Sequence, residues 1–228
     1  MSYEKNLAML ELALDLLGEL SDEVVFVGGA TTCLYVDPEI ADEIRPTEDV
    51  DCAIEISSLN QYNEFQKKLK AKGFTHDTTK GAPICRFKFK ELLTLDVMPN
   101  DESILGFTNS WYKEGIKYKE MKKIGKKSIH TFSLPYFLAS KFEAFNGRGK
   151  NDPRMSSDLE DIFLVIDGII DFNLSKSNLN EQLHKFLSQM SLECLNNDVV
   201  KEAISSFVKN NSEKIKKISE RLSNLNRI

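Results

Sequence analysis

Three aspartates hold the chemistry in this chain. Asp49 and Asp51 stand two residues apart in Arg45-Pro46-Thr47-Glu48-Asp49-Val50-Asp51. Asp96 interrupts the otherwise apolar run Leu92-Leu93-Thr94-Leu95-Asp96-Val97-Met98-Pro99. On a strand, residues i and i+2 point to the same face, so the Asp49 and Asp51 carboxylates share one side. Two like charges held that close are costly unless a cation sits between them. All-oxygen ligands of this kind suit Mg²⁺ or Mn²⁺ rather than zinc. Upstream, Phe26-Val27-Gly28-Gly29 ends a β-rich run in a glycine pair. Gly28 and Gly29 there would let backbone approach phosphates, with free N–H groups offered by the helix that follows. A D-x-D pair alone is weak, because exposed strand faces often carry acids. Joined to a strand–GG–helix unit and a third strand acid, it becomes specific for phosphate and metal chemistry.

The elements that must position these residues follow from periodicity. Leu7, Leu10, Leu14 and Leu17 recur at helical spacing, which predicts a helix over 3–20. Residues 24–27 read as a strand, and a helix is expected from Ala30 to Tyr35. Residues 36–46, with Pro38 and Pro46, read as an irregular insertion. Val50–Ile56 alternates as a strand with one wet face. A helix over 59–72 is closed by Gly73. Residues 84–89 and 92–97 form a hairpin, whose nearest pairing partner is the 50–56 strand. Beyond Thr131 the pattern turns helical. Ser133-Leu134-Pro135 opens a helix to about Phe145, Asn146–Pro153 is a loop, and Ser157–Asp167 is helical with Ser156 or Ser157 as its cap. The remainder to Ile228 carries no strand signal. The expected fold is therefore α/β (α+β), a mixed sheet with flanking helices in residues 1–132. An all-helical region, 133–228, would close one side of the cleft.

Composition sets limits. The chain has 228 residues, 41% hydrophobic and 29% charged, with six prolines, which fits an ordinary globular protein. Asn6–Leu20 is apolar but interrupted by Glu11, Asp15 and Glu19, unlike a signal peptide. A cytoplasmic location without membrane contact is expected. Cys33, Cys52, Cys85 and Cys194 form no C-x-x-C pair, and their apolar neighbours mark them as small buried hydrophobes. His76, His130 and His184 fall in no nucleophile or base motif. The net charge of −5 excludes a surface coated in positive charge. Between Lys113 and Lys127 lie seven lysines and two glutamates, with Trp111, Tyr112 and Tyr118 close by. That segment is either a solvated surface with its aromatics turned to the core or a nucleic-acid contact.

Taken together, the GG turn, the R-x-[ST]-x-D-h-D segment and the strand aspartate resemble the AbiEii/MenA-like nucleotidyltransferases of the polymerase-β-like superfamily. The resemblance continues in Leu138-Ala139-Ser140-Lys141-Phe142-Glu143-Ala144-Phe145, similar to that family's h-x-x-K-h-x-A helix. Arg148-Gly149-Lys150 with Asp158-Leu159-Glu160-Asp161-Ile162 is similar to its R-x-x-K…D-x-x-D-h segment, and Gly106-Phe107 with Trp111-Tyr112 to one branch of it. The resemblance implies that Asp49 and Asp51 bind metal, with Asp96 as third ligand and base toward the acceptor hydroxyl. It implies a nucleotide-binding group of Gly28, Gly29, Thr31, Arg45, Thr47, Lys141, Asp158 and Asp161. Lys141 would contact phosphates, and Asp158 or Asp161 would support that end of the site. Gly29 departs from the usual Gly-Ser turn, and Thr31 or Thr32 would have to replace the missing serine.

The activity so implied is transfer of a nucleoside monophosphate from an NTP to an acceptor hydroxyl, with Mg²⁺ or Mn²⁺ as cofactor. The acceptor would be an RNA end, a protein or a small molecule, and the biological role that of a toxin with a cognate antitoxin or of phage defence. From the residues themselves alternatives stand. Lys141 is equally a surface lysine laid along an apolar helix, and Asp158 and Asp161 equally an acidic face or partners of Arg148 or Lys150. The whole chain is alternatively a catalytically silent nucleotide- or partner-binding member of the fold. A metal-dependent nuclease also clusters acids, but explains neither the GG turn nor Lys141.

Overall fold

In the computed structural model, which describes residues 2–150, 152–172, 174 and 180–226, the chain divides into two compact units. The first comprises Met1–Leu34 and Arg45–Ser133, the second Tyr35–Ile44 and Leu134–Ile228.

In chain order the first unit contains α1 (Ser2–Leu17), β1 (Val24–Val27), β2 (Val50–Ile54), α2 (Leu59–Ala71), β3 (Thr75–His76), β4 (Arg86–Phe89) and β5 (Leu93–Pro99). It continues with α3 (Glu102–Leu105), α4 (Tyr112–Lys117), β6 (Lys119–Ile124) and β7 (Lys127–Phe132). The strands form one mixed sheet in the order β3-β4-β5-β2-β1-β7-β6. β2 pairs antiparallel with β1 and parallel with β5, so the two acid-bearing strands are neighbours near the middle. A central strand must satisfy apolar contact on both faces. Val50, Cys52, Ala53 and Ile54 are accordingly all buried; the strand stops at Ile54, and of the wet face expected over 50–56 the half-buried Asp51 lies in it and the exposed Glu55 just beyond it. Tyr62 of α2 is fully buried and donates its hydroxyl to the Val97 carbonyl at 2.9 Å, tying that helix to β5.

Local chemistry accounts for most of the boundaries. Ser58 caps α2 by accepting from the Gln61 N–H, and Gly73 follows it at φ 95°. The helix expected after the GG turn is a single six-residue 3-10 segment, Gly29–Leu34. The helix expected over 3–20 stops at Leu17, where Gly18 turns to φ 55° and a 3-10 segment leads into β1. β6 and β7 had no counterpart in the periodicity. They form a hairpin around Gly125-Lys126, with β7 joining β1 in parallel and β6 left as an edge.

The second unit is helical: α5 (Leu134–Ala144), α6 (Ser157–Gly168), α7 (Glu181–Asn196), α8 (Asp198–Phe207) and α9 (Ser212–Leu225). Phe145–Gly149 continue α5 as a π-helical turn, although a loop is expected from Asn146. Ser156 caps α6 by accepting from the Leu159 N–H. At its other end, Arg221 Nη1 of α9 donates to the Ile166 and Ile169 carbonyls at 2.6 and 2.8 Å, satisfying carbonyls that the helix leaves open. The 35–44 segment belongs here. The Tyr35 ring lies 4.4 Å from that of Phe137, and the Asp37 N–H donates to the Gly168 carbonyl at 3.0 Å. Of the helical stretch expected to Ile228, residues 173, 175–179, 227 and 228 lie outside the described residues, as does Asn151 of the expected 146–153 loop. Among the described residues no helix is long and apolar enough to cross a membrane.

Candidate active site

Register across the sheet brings the acids together. Arg86 of β4 faces Asp96 of β5, Asp96 is in register with Asp51 of β2, and Asp51 with Val27 of β1. In-register residues on adjacent strands project from the same face, about 4.8 Å apart. A single row therefore runs Arg86–Asp96–Asp51–Val27, and the turn at Gly28, the next residue, lies against the Asp51 side chain. Gly28 adopts φ 74°, and a Cβ built on it would lie 2.7 Å from Asp51 Cγ and overlap Oδ2. The position is reserved for glycine twice over, by backbone conformation and by the carboxylate that fills the space.

Asp49 sits just before β2. Arg86 Nη2 donates to Asp49 Oδ2 and to Asp96 Oδ2, each at 2.7 Å, so those two oxygens are no further apart than twice that length. Arg86 Nε donates to Asp96 Oδ1 at 2.8 Å, completing a fork on Asp96. The side chains of Asp49 and Arg86 are 33% and 25% exposed, and that of Asp96 is 9% exposed. Hydrogen bonding to Asp96, together with its charge and those of Asp49 and Asp51, raises the Arg86 pKa further, so it stays a cation at any accessible pH. Burial raises the neighbouring thiols. Cys52 is pushed well above its usual value, helped by Asp51 and Asp96, and Cys85 up to about 12. Neither offers a thiolate to the site, and all four cysteines are free and buried.

The segment that delivers Asp49 is pinned from α1. Asn6, fully buried, donates to the Arg45 carbonyl at 3.2 Å and accepts from the Thr47 N–H at 3.2 Å. Thr47 is thus buried against Asn6, while the Arg45 side chain is half-buried. Thr31 is buried too, its hydroxyl donating to the Gly28 carbonyl at 2.9 Å and bracing the turn. Gly29 opens the 3-10 segment and is buried. A shallow cleft of about 490 Å³ elsewhere in the unit, lined by Glu55, Glu64, Lys68 and Ile54 among others, includes none of the three acids.

The remaining expected residues form a second cluster, inside the helical unit. Lys141 Nζ contacts Asp161 Oδ2 at 2.6 Å and Asp158 Oδ1 at 3.3 Å. The three side chains are at most 6% exposed, so Lys141 is not a surface lysine, nor are the two acids an exposed face. Arg148 forks onto both oxygens of Asp158 at 2.8 and 2.9 Å. Burial pushes the Asp158 pKa up, but hydrogen bonds and charge from Arg148 and Lys141 outweigh it and hold the carboxyl below its ordinary value. Lys150 pairs instead with Glu193.

Among the solved structures that resemble this chain is the crystal structure of an antigenic nucleotidyltransferase-like protein from Paracoccidioides brasiliensis. The likeness covers 92% of this chain and 94% of that one, with a TM-score of 0.52 and 20% identity. The fold is nucleotidyltransferase-like. No protein-family model matches the sequence, and no curated protein does.

Two residues of this site escape a reading of motifs. Arg86 was readable in principle, because folding the 84–97 hairpin about residue 91 sets it opposite Asp96. Asn6 had no signal, being a polar residue in a helical run about forty positions from its partner. Among the described residues, no three acidic, cysteine or histidine side chains stand in metal-holding geometry as they are. The donor types nonetheless fit a hard cation, with the Asp49 and Asp96 carboxylates bridged by the Arg86 guanidinium and Asp51 in register with Asp96. Just before the Lys113–Lys127 segment Trp111 and Tyr112 are buried, and within it Tyr118 is 38% exposed.

Proposed function

We propose that this protein is a nucleotidyltransferase, moving a nucleoside monophosphate from an NTP to an acceptor hydroxyl with release of pyrophosphate. The observation that carries the reading is the row of Asp51 and Asp96 on adjacent strands beside the Gly28 turn, with Asp49 joined to Asp96 through one nitrogen of Arg86. Asp49, Asp51 and Asp96 would hold Mg²⁺ or Mn²⁺. Bound there, the ion would neutralise charge on the triphosphate and help align an in-line displacement. Gly28, by lacking a side chain, leaves Asp51 its place and lets backbone approach the phosphates. Asp96, as base toward the acceptor hydroxyl, requires Arg86 to release one of its oxygens. Asn6 acts at one remove, fixing the segment from which Asp49 projects. A phosphate contact by Lys141 requires its ammonium to leave Asp161. The finer assignment is membership of the AbiEii/MenA-like group, with an RNA or protein acceptor and a toxin-like role. It rests on the motif resemblance alone.

One observation favours a second reading, a silent nucleotide- or partner-binding member: the cation that Asp49 and Asp96 hold is the protein's own Arg86. Radiolabelled NTPs with Mg²⁺ and total RNA or cell protein separate the two. Transfer that vanishes in Asp51→Asn with folding intact supports the enzyme. Nucleotide binding without transfer under all four NTPs supports the silent reading.

A further inference from the structure

The sheet places a permanent cation among the acids, and its geometry is specific. Arg86 spends two nitrogens on both oxygens of Asp96, and one of them also reaches Asp49. A bidentate fork of this kind fixes orientation as well as charge. The cross-strand register would oppose residues 86 and 96 whatever their side chains, so the contact is built into the hairpin. Three carboxylates gathered at one place repel one another. We infer that Arg86 is the internal counter-ion of this cluster: a positioning residue that holds Asp49 and Asp96 in place without metal and competes with a divalent cation for them.

The competing part of this inference rests on the metal reading above; the counter-ion part does not. Removing the guanidinium should therefore have two opposite consequences. The metal-free fold loses the charge that offsets repulsion and becomes less stable. The site, relieved of a fixed positive charge a few ångströms from the ligand oxygens, attracts Mn²⁺ more strongly, by about tenfold. A purely structural arginine would give the first effect without the second, since a loosened site binds metal worse.

The test uses the full chain. In EDTA, the melting temperatures of wild type, Arg86→Gln, Asp49→Asn and the double variant form a cycle. Arg86→Gln is expected to lower the melting temperature by about 3 °C or more. Adding Asp49→Asn is expected to restore part of that loss, although in the wild-type background it removes a partner of Arg86. Additive changes would overturn the counter-ion role. Nucleotide-free protein is then titrated with Mn²⁺ alone by calorimetry. Tighter binding by Arg86→Gln, with Arg86→Lys close to wild type, supports competition; equal or weaker binding overturns it and leaves the metal reading standing. If neither protein binds Mn²⁺ while the cycle shows coupling, the competition and the metal reading fall together and the counter-ion role remains. Should Arg86→Gln not fold, recovery of a melting transition in the Arg86→Gln/Asp49→Asn double variant supports the counter-ion role and its absence overturns it, and the Mn²⁺ comparison is made between the double variant and Asp49→Asn.

Discussion

The protein holds two charge clusters, one in each unit, and they are built to opposite rules. In the helical unit Lys141 and Arg148 face Asp158 and Asp161, two cations against two anions, with all but Arg148 buried. In the sheet unit Arg86 binds Asp49 and Asp96, with Asp51 in register beside Asp96, and Asp49 and Arg86 remain partly open to water. A buried ion that loses its partner is heavily penalised, so the first cluster has to balance within itself. Water screens the second, which can carry an excess of negative charge and leave it for something to bind. Burial suits the first cluster to stabilising the fold; partial exposure to water suits the second to interacting.

The sharpest way to break this contrast is Lys141→Ala. If the helical cluster is a self-sufficient buried network, the change takes the ammonium away from two buried aspartates. It should then cost about 3–5 kcal/mol in urea unfolding. A loss below about 1 kcal/mol, together with weakened NTP binding, would instead make Lys141 a ligand contact and erase the difference between the clusters.

Gly28→Ala probes the open cluster from its other end. The backbone at φ 74° is strained for any L side chain, and the new methyl collides with the Asp51 carboxylate. About 1–3 kcal/mol of stability should be lost, and Asp51 displaced, so nucleotidyl transfer should fall together with the melting temperature. Asp51→Asn in the same assay should stop transfer at nearly unchanged stability. A fully active Gly28→Ala would show that Asp51 does not need its observed place.

The smallest effect concerns pH. Asp158 is held below the ordinary carboxylate value in the folded protein, against about 3.9 unfolded. Its contribution is therefore present above the unfolded value and lost as pH falls through the folded one. The urea midpoint of wild type should drop more steeply below about pH 4 than that of Asp158→Asn. Parallel acid limbs would remove Asp158 from the account.

How much of this was legible in the residues depended on whether a pattern was local. The hairpin of β4 and β5, the cap at Ser156 and the stop at Gly73 are all written in neighbouring residues, and they stand in the structure. The neighbourhood of Asp51 and Asp96 was anticipated because a hairpin must pair with something. β6 was hidden, because an edge strand carrying Lys119, Glu120, Lys122 and Lys123 has the composition of a solvated charge run. Such charges discourage pairing of the open edge with another chain, so they obscure the strand for the same reason that they protect it. The burial of Lys141 was hidden as well. Its partners lie on the next helix, and an apolar helix containing one lysine looks the same whether that lysine reaches water or two aspartates.

The contact between Gly28 and Asp51 has a consequence for descent. A side chain at 28 and a carboxylate at 51 compete for one volume, so the two positions behave as a single inherited character. A lineage without nucleotidyl chemistry can lose the acid at 51 at once, and only afterwards is the collision at 28 lifted, leaving the backbone at φ 74° as the remaining bar to a side chain there. Loss has an order, acid first and glycine second. Homologues with alanine at 28 and aspartate at 51 should be missing from natural variation, and those with both changed should be the retired members of the lineage.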